Sequence, residues 1–73
     1  MERYLNHSGN SPITNYQVEE SSITVWFNGS PRSYRYSYSG KAGRIHVDMM
    51  KQLARSGSGL SAYITRNVRN DYD

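Results

Sequence analysis

The chain predicts an α+β fold: a three-stranded antiparallel meander followed by two helices packed on one face. Two alternating runs, a glycine-rich break and a change of period carry that prediction. Residues 22–27 (Ser-Ile-Thr-Val-Trp-Phe) and 33–38 (Ser-Tyr-Arg-Tyr-Ser-Tyr) place β-branched or aromatic side chains on alternate positions, the two-residue period of a strand. Gly40-Lys41-Ala42-Gly43 ends the alternation, and beyond it apolar residues recur at helical spacing.

Residues 1–11 show no periodicity and end in His7-Ser8-Gly9-Asn10-Ser11. They are expected to form a flexible tail, leaving 12–73 as a single domain. Residues 13–18 predict the first strand, and Glu19-Glu20-Ser21 a turn. Residues 22–27 predict the second strand, with Ile23, Val25 and Phe27 on one face. Asn28, Gly29, Ser30 and Pro31 predict a hairpin loop, because Asn-Gly favours positive φ and proline removes a ladder donor. The third strand is expected over 32–38. A helix over 42–55 follows, with Ile45, Met49, Met50, Leu53 and Ala54 as its apolar face and Gly57 as its stop. Ser58 is the expected cap of a second helix over 59–69, with Leu60, Tyr63, Ile64 and Val68 turned inward.

Composition narrows the function classes. At 73 residues the chain is one small domain, and it has no cysteine for disulfides or thiolate–metal sites. Only 36% of residues are hydrophobic, so the seven tyrosines and one tryptophan have to supply much of the buried area. No apolar run approaches the length of a membrane span and the N-terminus has no signal-peptide core, which predicts a cytoplasmic protein without membrane partners. Charge is uneven. Residues 1–28 carry one basic and three acidic side chains; residues 29–73 carry eight basic and three acidic. That bias points to a polyanion partner.

Tyr34, Tyr36 and Tyr38 share one face, and Ser33, Arg35 and Ser37 the other. Hairpin parity bears on which face is covered. With Asn28-Gly29 as the turn, Ile23 lies opposite Tyr34. With Gly29-Ser30 as the turn, or a four-residue loop, Val25 lies opposite Tyr34 and Ile23 opposite Tyr36. Each of these puts the tyrosines on the helix-covered face, whereas an odd loop or a bulge reverses the faces. On the even-loop reading the open face carries Thr24, Trp26, Ser33, Arg35 and Ser37, with Trp26 and Arg35 as diagonal neighbours able to stack a base.

These residues carry a family resemblance. Ile23, Val25 and Phe27 with Gly29, the central Tyr34-Arg35-Tyr36, the helix end Leu53-Ala54-Arg55-Ser56-Gly57, then Tyr63-Ile64 and Val68-Arg69 before Tyr72, resemble the KTSC domain. This small bacterial module occurs at the C-terminus of some lysyl-tRNA synthetases and as a free-standing protein. The resemblance spans about residues 13–72. Where the family commonly has Val-Pro after its tyrosines, this chain has Ser39-Gly40-Lys41-Ala42-Gly43. The resemblance implies a small α+β binding domain for which RNA has been proposed as ligand.

The residues offer little for catalysis. There is no cysteine nucleophile, and His46 and Asp48, two apart on a helix, point in different directions. No His-x-x-x-His or carboxylate cluster marks a metal. The expectation is a non-catalytic protein without cofactor or metal. Lys41 and Arg44, at the start of the first helix, can hold a phosphate, and Arg66 and Arg69 are spaced to share a helix face. Met49 and Met50 are expected to fill the core. The expected ligand is RNA, on a basic surface with aromatic stacking built from Trp26, Arg35, Lys41, Arg44, Arg66, Arg69, Tyr34 and Tyr36. The alternative is a protein-interaction or adaptor module using the open sheet face or an edge strand.

Overall fold

The computed structural model describes residues 1–7 and 9–73. Four antiparallel strands pair in sequence order: β1 (Glu2–Arg3), β2 (Ile13–Glu19), β3 (Ser22–Phe27) and β4 (Ser33–Ser37). Helix α1 (Gly43–Ser56) and the single turn α2 (Leu60–Tyr63) follow, and α2 runs directly into a π-helical turn, Ile64–Val68. The fold class is the α+β class expected, with four strands in place of three. The additional strand comes from the segment expected to be a tail: Glu2 pairs with Tyr16 and Arg3 with Asn15. Two strand residues are too few to display an alternating pattern, so periodicity passes over them.

The sheet lays one face against the helices. On β2 a bulge between Ile13 and Asn15 shifts the alternation, so that Ile13 and Tyr16 both face the core although they are three apart. On β3 the inward residues are Ile23 and Val25, and on β4 Tyr36 lies among them. The hairpin register pairs Val25 with Tyr34 and Ile23 with Tyr36. Among the even loops this corresponds to a turn at Gly29-Ser30 or a four-residue loop, and it places Tyr34 and Tyr36 on the covered face. The Ser30 N–H bonds to the Phe27 carbonyl at 3.3 Å, and Gly29, at φ 77°, sits where a type II turn demands positive φ. Tyr38 falls beyond the end of β4.

Helix α1 buries only part of the expected apolar face: Met50 and Ala54 turn inward and Leu53 packs against the core, but Ile45 and Met49 do not. Val47, Met50, Lys51 and Ala54 face the core. Ile45 is 82% exposed and Met49 41%, so these two point outward, contrary to expectation. The reason is Lys51. Its ammonium donates to the Glu20 carbonyl at 2.9 Å and to the Tyr38 hydroxyl at 3.0 Å. With its polar end satisfied, its aliphatic stem packs as core. Gly57 ends α1 in the left-handed conformation, its N–H bonding to the carbonyls of Leu53 and Ala54. The cap of α2 is Gly59 rather than Ser58, without a side-chain bond. Instead the Tyr4 hydroxyl, from the N-terminal segment, accepts from the Leu60 N–H at 3.4 Å. Leu60, Ile64 and Val68 close the core from this side, while Tyr63 is half-buried.

Candidate functional site

Tyrosines converge where β4 meets the chain leaving the π-helical turn. Here a cleft of about 350 Å³ is lined by Phe27, Tyr34, Tyr36, Thr65, Arg69 and Tyr72, among others. Its volume lies at the small end of the roughly 300–1,000 Å³ typical of ligand sites. The rings meet edge to face: Phe27 and Tyr34 have centroids 5.5 Å apart, and Tyr34 and Tyr72 4.9 Å apart. Tyr36 lies deeper, 6.5 Å from Tyr72. In each edge-to-face contact the edge of one ring points at the face of its neighbour. At the cleft's edge the guanidinium of Arg32 stands 5.4 Å from the Tyr34 centroid and 5.9 Å from that of Tyr72. Burial, and then the neighbouring Tyr34, Tyr72 and Asp71, push the Tyr36 phenol up to about 12. Tyr36 is therefore a neutral hydroxyl at the floor of the cleft at any physiological pH.

Of the residues the sequence singles out, the fold brings Tyr34, Tyr36 and Arg69 together in this cleft. Arg66 is exposed on the π-helical turn and does not line it. Lys41 is exposed between β4 and α1, and Arg44 lies beside Tyr38. Arg44 stacks 5.2 Å from the Tyr38 ring centroid and stands 3.8 Å from the Asp48 carboxylate. The Tyr38 hydroxyl donates to Asp48 and accepts from Lys51, so its hydrogen-bonding capacity is largely used within the fold. Trp26 and Arg35 occupy the opposite, open face, where the register leaves them diagonal neighbours. Arg35 is also ion-paired to Asp73 at 3.1 Å. The expected residues thus fall into three groups rather than one, with Arg66 apart from all of them.

No family model, curated protein or solved structure matches the chain.

Three residues of the cleft region were not singled out. Arg32 stands two positions before Tyr34, so strand parity alone puts it on the tyrosine face. Tyr72 enters from 38 residues further along the chain, and Asp73 meets Arg35 across the same separation; no local pattern signals either contact. Elsewhere, His46 Nδ1 and the Tyr63 hydroxyl share a hydrogen bond of 2.6 Å on a half-buried rim. Among the described residues no three His, Cys, Asp or Glu side chains come together in a way that could hold a metal, and no helix is long and apolar enough to cross a membrane. The cleft combines ring faces, hydroxyls and a cation, with no carboxylate in its lining. That set of groups suits a flat, polar ligand bearing negative charge.

Proposed function

We propose that this chain is a small non-catalytic binding module that holds single-stranded RNA along the outer side of β4. Bases stack on Tyr34 and Tyr72, and Arg69 and Arg32 hold phosphates at the cleft. Lys41, Arg44 and Arg66 are the next cations the strand meets. The observation that carries the reading is the aromatic cleft with Arg32 already stacked over two of its rings. A ring face that accepts a guanidinium also accepts a base, and stacking of this kind tolerates any sequence. The excess of cations after residue 28 and the resemblance to the KTSC domain support the same reading.

A titration of the isotope-labelled protein with a short single-stranded RNA tests it. Amides near Tyr34, Arg69 and Tyr72 are expected to shift, and the affinity to fall steeply as salt rises. No shift at low salt would end the RNA reading. Trp26, half-buried on the open face, favours a second reading as a protein-interaction module. In that case a polypeptide ligand moves the Trp26 signals with little dependence on salt. Strand addition at an edge has less to support it, since β1 has two residues and the Asp73 N–H occupies the Arg35 carbonyl on β4.

A further inference from the structure

Tyr72 reaches the cleft from a segment that belongs to no helix or strand. Three bonds to its neighbour Asp73 fix it there. The Asp73 N–H donates to the Arg35 carbonyl at 2.7 Å, extending the sheet's hydrogen bonding by one residue beyond β4. One carboxylate oxygen accepts from Arg35 Nη1 at 3.1 Å. The other accepts from Ser37 Oγ at 3.0 Å. Gly40 leaves room for this carboxylate, since a Cβ there would collide with it. Arg35 and Ser37 belong to the open face of β4, whereas Tyr34 and Tyr36 belong to the covered face. The last residues therefore wrap the β4 edge, gripping one face while Tyr72 lies against the other.

We infer that Asp73 and Arg35 are positioning residues that hold Tyr72 at the cleft as a stacking surface for a base. The base-stacking part rests on the RNA reading above; the positioning part does not. This role differs from a phosphate contact for Arg35. A guanidinium committed to Asp73 shapes the site from behind, and its removal acts on Tyr72 rather than on ligand charge. The two roles predict opposite signs. Asp73→Asn leaves Arg35 with more free positive charge, which strengthens RNA binding if Arg35 meets phosphate. If Asp73 positions Tyr72, the same change weakens binding.

The test pairs two measurements on full-length Asp73→Asn, Arg35→Ala and Arg35→Lys, each first confirmed as folded by circular dichroism. The first is the NMR signals of the Tyr34 and Tyr36 ring protons, which the Tyr72 ring shifts in the wild type. The second is the affinity for a short single-stranded RNA by fluorescence anisotropy. Asp73→Asn and Arg35→Ala are expected to lose the ring-current shifts and to weaken RNA binding roughly fivefold, the low end of what one stacked base contributes. Their double variant is expected to be no worse than the poorer single one, because both act through Tyr72. Arg35→Lys, which keeps the ion pair, is expected to restore both readouts. Unchanged Tyr34 and Tyr36 signals in Asp73→Asn overturn the positioning role whatever the RNA result. Tighter RNA binding in Asp73→Asn overturns it as well. If the wild type binds no RNA, the RNA reading fails, and the ring signals alone decide the positioning role.

Discussion

Tyr36 shows how one side chain serves both the core and the site. It is 1% exposed, and its phenol is raised to about 12 from an ordinary value near 10. In the unfolded chain the phenol ionises near 10; in the native state it keeps its proton to about 12. Its contribution to stability is therefore complete below pH 10 and is lost as the pH climbs through that window. Two units correspond to roughly 3 kcal/mol. Tyr16, raised chiefly by burial and then by Glu2, adds a loss of the same sign. Urea denaturation at a series of pH values is expected to show stability falling between pH 10 and 12. In Tyr36→Phe that fall should flatten. An unchanged pH slope in Tyr36→Phe would mean that this phenol ionises in the native state as freely as in the unfolded one.

Helix α1 separates what the sequence pattern reveals from what it conceals. The helix itself, its extent and its stop at Gly57 are legible from local spacing and from glycine's access to positive φ. Its rotation about its own axis is not. The pattern counts Ile45 and Met49 as apolar and Lys51 as polar, yet the partners that let Lys51 go inward lie 31 and 13 residues away in sequence. Tertiary hydrogen bonds thus decide the phase. The cleft divides in the same way. Tyr34, Tyr36 and Arg32 are legible through strand parity, while Tyr72 and Asp73 arrive through contacts that no local window contains. The phase has a measurable consequence. Met50→Ala is expected to cost about 2–5 kcal/mol, as removal of a fully buried side chain does. Ile45→Gln and Met49→Gln, on the outer face, should stay within about 0.5 kcal/mol of the wild type. Denaturant midpoints for the three variants decide it: a large loss for Ile45→Gln or Met49→Gln would restore the phase that the apolar pattern suggests.

At the scale of the whole molecule, a chain of 73 residues has little core to spare, and the fold draws on its first few residues to complete it. Tyr4 is 3% exposed. Its ring meets Tyr16 edge to face at 6.5 Å, and its hydroxyl accepts from the first N–H of α2. His7, just beyond, donates its N–H to the Gly57 carbonyl at 2.8 Å. A Cβ at Gly57 would come within 2.8 Å of both Leu5 and His7, so the link between the helices is glycine where the N-terminal segment passes over it. One short segment thus joins the sheet edge, the helix junction and the core. Total stability for a domain of this length is on the order of 4–11 kcal/mol, and truncating a buried aromatic costs about 3–5 kcal/mol. Tyr4→Ala is therefore expected to remove a large share of the total, with the unfolding midpoint dropping steeply and the cost spread over sheet and helices alike. Tyr4→Phe keeps the ring and removes only the acceptor for the Leu60 N–H, a cost of about 1–3 kcal/mol. Denaturation followed both by tryptophan fluorescence, which reports on the sheet through Trp26, and by helical circular dichroism separates the possibilities. Coincident, strongly lowered midpoints for Tyr4→Ala mark the N-terminal segment as part of one cooperative unit. A wild-type midpoint in that variant would show that the domain from Pro12 onward carries its stability alone.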